Sequence, residues 1–211
     1  MKEIRLLGKK IIPDKSPLLL KYSPSADWLD YWTPKSGNWE CDGEWLIGIE
    51  PENKGGILYS KECYDEDVMM SFTITTQAPT TRDLNAVFCS TWDDEKDYLG
   101  PSYICGLNGW YEHKCGIEKS HCGDDDIASL TQAYKYVPGT EVRMIVGAIN
   151  GHTFMVVDDE VITEMMDSKP LTKGHIGFSA YCTILKIKDI EIRKIYWEKF
   201  TQKYTPEFKL N

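Results

Sequence analysis

The chain has 211 residues, 42% hydrophobic and 12% aromatic, enough to bury a full core in one domain of the size common for all-β sandwiches. Its formal net charge of -9 and pI of about 5.0, with acids and bases interspersed, argue against a nucleic-acid partner or an anionic membrane surface. No apolar run is long enough for a signal peptide or a membrane span, and the seven cysteines form an odd set without repeated short spacing, so reduced thiols in a cytoplasmic protein are expected.

Residues 2–22 carry two short apolar runs punctuated by Pro13 and Pro17, a pattern suited to an edge strand or an arm laid on a sandwich. Trp28, Trp32, Trp39 and Trp45 then cluster, and residues 38–46 read as strand, Asp42-Gly43 turn, strand. Indole faces could stack on sugar rings, but core and hairpin packing is the favoured reading for these four, because tryptophan buries so much area. Val68, Met70, Phe72 and Ile74 alternate with Met69, Ser71, Thr73 and Thr75, so one face of that strand covers a core.

In the middle of the chain, residues 84–91 read as a strand and 93–100 as an acidic loop. Residues 103–117 read as one strand, or as two broken at Asn108-Gly109, and 120–130 as a loop. From Glu141 to Ile195 the pattern predicts an antiparallel meander with turns at Asn150-Gly151 and Asp158-Asp159, whose strands need a second sheet to cover them. Five aromatics after Ile195 are too many for a free tail; they are expected to pack back on the sandwich or onto another subunit, giving a homo-oligomer. The expectation is one domain over residues 1–211, with a core at about 27–195, an arm at 1–26 and an extension at 196–211.

On a single strand through residues 108–114, Asn108, Trp110, Glu112 and Lys114 share a face. An amide, an aromatic plate, a carboxylate and an amine together make a sugar-reading surface; the plainer alternative is a solvent-facing strand with cross-strand pairs. Cys115, His121 and Cys122 lie close in sequence but show only one tight pair, so free thiols and a loop histidine are favoured over zinc. Asp93-Asp94 and Asp124-Asp125-Asp126 could ligate a structural Ca²⁺, but without the EF-hand alternation solvated loops are favoured. Phosphate loops, nucleophile elbows and dinucleotide fingerprints are absent, so no cofactor is expected and no metal is assigned to the site.

The motifs Asp27-Trp28, Gly37-Asn38-Trp39, Asp42-Gly43-Glu44-Trp45 and Gly55-Gly56-Ile57-Leu58-Tyr59-Ser60 resemble the start of 3-keto-disaccharide hydrolase domains. The tail is similar too, with Pro170-Leu171 to Gly177-Phe178 matching P-L-x-x-G-x-I-G-L and Ile187 to Arg193 matching F-R-N-I-x-I-R; YesU-like sandwich proteins share that tail. The resemblance implies an all-β, concanavalin A-like jelly-roll β-sandwich of two curved antiparallel sheets, with a small carbohydrate or glycoside on the concave face. It places the family's N-S-G strand at Asn85-Ala86-Val87 and its G-Y-E-x-Q strand at residues 110–114, with Lys114 for the glutamine, Lys188 and Asp189 for an Arg-Asn pair, and Tyr181 at the end of the L-Q-x-H stretch.

The chemistry so implied is cleavage of a glycoside oxidised at carbon 3, whose ketone acidifies the neighbouring C–H bond for a general base. In that reading Glu112 is base or acid, Lys114 or Lys188 the oxyanion partner, Trp110 the stacking platform, and Asn85, Asn108 and Tyr181 bind substrate. An ordinary glucanase is disfavoured because no strand carries an E-x-D-x-x-E run. A non-catalytic sugar-binding or accessory sandwich stays open as the alternative.

Overall fold

The computed structural model describes residues 2–50, 55–65 and 67–201, the side chain of Glu112 excepted. Strands β1 (Ile4–Leu6) and β2 (Lys9–Ile11) are followed, after Pro13 and Pro17, by β3 (Leu18–Tyr22). The tryptophan-rich stretch forms β4 (Trp32–Pro34), β5 (Asn38–Cys41) and β6 (Leu46–Glu50). Asp42 closes the β5–β6 hairpin by accepting the backbone N–H groups of Glu44 and Trp45.

The long strands β7 (Gly56–Asp65), β8 (Val68–Thr81) and β9 (Leu84–Ser90) come next. A small hairpin follows, β10 (Trp92–Asp93) and β11 (Tyr98–Leu99), and then β12 (Ser102–Trp110), β13 (Lys114–Ser120) and β14 (Ile127–Thr131). The chain continues through β15 (Val142–Ile149), β16 (His152–Val157), β17 (Glu160–Met166), β18 (Lys173–Ala180) and β19 (Thr183–Lys194) to β20 (Trp197–Lys199).

The strands form a seven-stranded sheet, β14-β13-β12-β9-β18-β7-β4, and an eight-stranded sheet, β17-β16-β15-β8-β19-β6-β5 with β3 beside β19. Inward residues of the two sheets meet in one core, where Phe72 of β8 packs edge-on against Phe178 of β18, and Phe178 in turn meets Trp32. On the far side of the eight-stranded sheet, Met69, Ile145 and Phe154 pack under a three-stranded sheet of β1, β2 and β20. Glu164 pins that cover by accepting the Leu7 N–H and bonding His152, whose other ring nitrogen faces Lys9.

Three sequence expectations change. The meander holds only for β15–β17, with Asn150-Gly151 and Asp158-Asp159 all at positive φ in the turns. β18 then crosses to the seven-stranded sheet between β9 and β7, and β19 returns to pair with β8 and β6. The stretch from 108 to 114 is not one strand, because Tyr111–His113 makes a 3₁₀ turn that pairs Trp110 with Lys114 across a hairpin. The supposed 120–130 loop contains β14.

The spacing of the last isoleucines also finds its reason. Asp189, at φ 54°, is the extra residue of a bulge, so Lys188 pairs with Thr73 and Glu191 with Ser71. That single insertion switches parity and lets Leu185 and Ile187, then Ile190 and Ile192, all face the core. The C-terminal extension packs back as expected over Trp197–Lys199, which pairs with β2; residues 202–211 lie outside the described residues.

One buried ion pair closes an end of the sandwich. Lys119 Nζ lies 2.9 Å from Asp167 Oδ2, which also accepts the Tyr103 hydroxyl at 2.6 Å, and Lys119 donates to the Lys169 carbonyl. Burial alone would raise the Asp167 carboxyl, but the hydrogen bonds from Tyr103 and Lys119 hold it below its usual value. Lys119→Met leaves that carboxylate buried without its cation and is expected to cost about 3 kcal/mol in urea unfolding at neutral pH; a loss within experimental scatter would show the pair to be dispensable.

Candidate functional site

Strand alternation fixes what the outer face of the seven-stranded sheet displays. In β9, Leu84, Ala86 and Phe88 face the core, so Asp83, Asn85 and Val87 face outward. In β18, Phe178 and Ala180 point in and Ser179 points out; in β13, Ile117 points in and Glu118 points out. The register aligns these outward positions laterally, with Gly106, Asn85, Ser179 and Ile57 in one row and Glu118, Ile104, Val87, Gly177 and Tyr59 in the next.

Glycines keep the face open. A Cβ on Gly106 would sit 1.8 Å from Asn85 Oδ1, so the Asn85 amide lies where that side chain would be. At the other end the β10–β11 hairpin folds over the sheet, held by Tyr59, whose hydroxyl reaches Ser90 Oγ at 2.7 Å and donates to the Thr91 carbonyl. Ser90 continues the chain to Ser102 at 2.6 Å, and Val87 and Tyr59 of the sheet pack against Leu99 of the hairpin.

The result is a cavity of about 420 Å³. Its walls carry aromatic rings from Trp92 and Tyr98 on the hairpin, Trp110 and Tyr111 at the β12–β13 turn, and Tyr181 after β18. Tyr111 is 86% exposed and stands at the rim. The Trp110 indole is oriented by its N–H, which donates to Glu118 Oε2 at 2.6 Å.

Two acceptors at this face lack hydrogen-bond partners among the described residues: Asn85 Oδ1 and Asp83 Oδ1, on residues only 6% exposed. Asp83 has Arg82 Nε at 3.4 Å as an ion-pair partner, and Arg82 also donates to the Gly109 carbonyl. Burial nevertheless pushes the Asp83 carboxyl up to about 6, against the pull of Arg82 and of a hydrogen bond from Asn85. Burial raises the Tyr181 phenol as well.

The structure brings together Asn85, Trp110 and Tyr181 of the residues singled out in the sequence. Asn108, at φ 61°, turns its amide back to the Thr81 and Arg82 carbonyls, where it shapes the wall from behind. Lys114 stands at the foot of the β12–β13 hairpin, outside the lining, and Glu112 lies at the hairpin tip; its side chain is outside the described atoms. Lys188 is on the other sheet, 3.9 Å above the Trp45 ring and 3.1 Å from Glu141, so it cannot share a site with Asn85.

Sequence reasoning passed over Asp83, Glu118, Trp92 and Tyr98. Among the described residues no group of three or more His, Cys, Asp and Glu side chains is placed to hold a metal. The Cys115 thiol donates to the Tyr134 carbonyl while His121 meets the Tyr98 ring edge-on. The acidic loops are tied to the protein: Asp93 accepts from Lys96, Asp125 from Lys169, and Asp126 from the Cys122 N–H.

Comparison with known proteins gives the fold. No protein-family profile matches the sequence, and no curated protein does. Solved structures match along most of the chain. The carbohydrate-binding module CBM66 from Bacillus subtilis superposes with TM-score 0.61 at 16% identity, covering 77% of this chain and 94% of its own. A Bacillus subtilis protein of unknown function with a galectin-like fold gives 0.68 at 15%, covering 85% and 96%. The Ca²⁺- and mannose-bound exoplasmic/lumenal domain of VIP36 gives 0.60 at 11%, covering 92% and 100%.

The raised Asp83 pKa has a stability consequence with a definite sign. A carboxyl whose folded pKa exceeds its unfolded value binds its proton more tightly when folded, so stability is full below the unfolded pKa and falls as pH rises through about 6. Asp83→Asn is expected to be more stable than wild type at neutral pH by on the order of 2 kcal/mol, with the gap closing near pH 4, in urea titrations at the two pH values. A gap independent of pH would contradict this assignment. With the sheet order, the core and the superpositions in hand, the chain folds as a concanavalin A-like β-sandwich of two antiparallel sheets.

Proposed function

We propose that this protein recognises a small saccharide in the cavity on the outer face of the seven-stranded sheet. The observation that carries the reading is the meeting, in one cavity, of oriented aromatic faces with buried polar side chains, Asp83 and Asn85, the latter with an Oδ1 that has no hydrogen-bond partner among the described residues. A pyranose presents an apolar C–H face, which stacks on indole and phenol rings, and hydroxyl groups, which pair with the carboxylates and amide that line the cavity. A volume of about 420 Å³ is within the range that holds a small organic ligand. The solved structures of similar fold that are described as a carbohydrate-binding module and a mannose-bound domain support the same ligand class.

One observation favours a second reading, in which the bound glycoside is also cleaved. Asp83 and Glu118 line the same cavity in unlike surroundings, one buried with its carboxyl pushed up to about 6, the other tied to the Trp110 indole. Two carboxyl groups held apart in this way can divide proton transfer between them. Asp83 then takes the acid–base role that the sequence pattern gave to Glu112.

Titration of intrinsic tryptophan fluorescence with a panel of neutral disaccharides tests the binding reading. Wild type is expected to show saturable quenching, Trp110→Ala and Asn85→Ala to weaken it by about tenfold or more, and Lys188→Ala on the opposite sheet to leave it unchanged. Loss on Lys188→Ala equal to that on Trp110→Ala would move the site elsewhere. Turnover of the same glycosides and their 3-keto derivatives by wild type, abolished in Asp83→Asn, would establish cleavage; binding without turnover leaves recognition alone.

A further inference from the structure

The cavity carries more negative charge than a neutral sugar needs. Three carboxylates line it, Asp83, Asp97 and Glu118, against one guanidinium, Arg82, which is already engaged by Asp83 and the Gly109 carbonyl. The remaining titratable groups on the lining are His121 and three tyrosines; of the lysines on the hairpin side, Lys35 is paired with Asp94 and lies over the Trp92 ring, and Lys96 is paired with Asp93. Glu118 accepts one hydrogen bond from Trp110 and keeps its second oxygen for another donor. Asn85, 6% exposed on the same lining, has an Oδ1 with no hydrogen-bond partner among the described residues, whereas Asp83 Oδ1 faces Arg82 Nε at 3.4 Å.

Resting on the saccharide reading above, we infer that the cavity selects an amino sugar, one whose protonated amine sits between the aromatic rings and the carboxylates of Glu118 and Asp97. A desolvated ammonium gains from both kinds of wall at once: the negative faces of indole and phenol rings attract it, and carboxylates give short charge-assisted hydrogen bonds. The same walls repel a uronic acid, whose carboxylate would find only an occupied arginine. A neutral hexose is accepted without that gain.

The test compares four disaccharides by calorimetry or tryptophan fluorescence at about pH 6.5, where a sugar amine is protonated. They are a glucosamine disaccharide with free amines, its fully N-acetylated form, cellobiose, and a disaccharide containing glucuronic acid. The free-amine sugar is expected to bind at least about tenfold more tightly than the other three. Glu118→Gln, which still accepts the Trp110 N–H, and Asp97→Asn are expected to bring the ratio of free-amine to N-acetyl affinity toward unity. Equal affinity for the free-amine and N-acetylated forms would overturn the charge preference while leaving saccharide recognition intact. Failure of all four to bind would overturn both, and tighter binding of the uronic acid would reverse the sign of the inference.

Discussion

Strand parity is the constraint on which the site depends. Each residue of the seven-stranded sheet faces either the core or the cavity, and the core decides which. Because Ala86, Phe178, Cys105 and Ile117 are drawn inward, Asn85, Ser179 and Gly106 are left on the outer face in register with one another, with Glu118 in the next row beside Ile104. A slip of one residue in any of these strands would bury an amide or a carboxylate and expose a phenylalanine or isoleucine, at a cost of several kcal/mol. The hydrophobic core thus positions the polar groups of the cavity without touching them.

The same logic explains how a shallow sheet face becomes a cavity. Small residues in the middle, Gly106, Gly177 and Ser179, keep the floor low, while the β10–β11 hairpin and the β12–β13 turn raise walls at two sides. The hairpin is held down by the buried Tyr59–Ser90–Ser102 chain of hydroxyls, so Trp92 and Tyr98 are placed by the fold and not by a ligand. Burying Asn85 Oδ1 with no hydrogen bond from any described residue, and the Asp83 carboxyl with only Arg82 beside it, costs stability, as is common where a surface serves binding.

Much of this was readable in the chain. The alternation in β8, the Asn150-Gly151 turn and the closing isoleucine run gave the all-β class, and the motifs at residues 55–60 and 170–178 gave the sandwich. Asn85 and Tyr181, which the family resemblance singles out, and Trp110, which the 108–114 pattern singles out, line one cavity. The one-strand reading of residues 108–114 does not hold through its own turn: Tyr111–His113 reverses the chain, so Lys114 pairs with Trp110 across the hairpin instead of following it along one face, and Glu118 reaches the Trp110 indole. Ile117 next to Glu118, and Leu84 next to Asp83, carried the needed signal. Lys188 was misplaced for a different reason, since no local pattern reveals that β18 and β19 belong to opposite sheets.

The central claim is that ligand is held on the outer face of the seven-stranded sheet, and amide chemical-shift mapping during a saccharide titration tests it most directly. The account predicts shifts concentrated on residues 83–87, 92–99, 104–118 and 177–181, with the far face of β15, β16 and β17 silent. Shifts centred on β19 and the Trp45–Lys188 neighbourhood, or spread without pattern over both sheets, would contradict it.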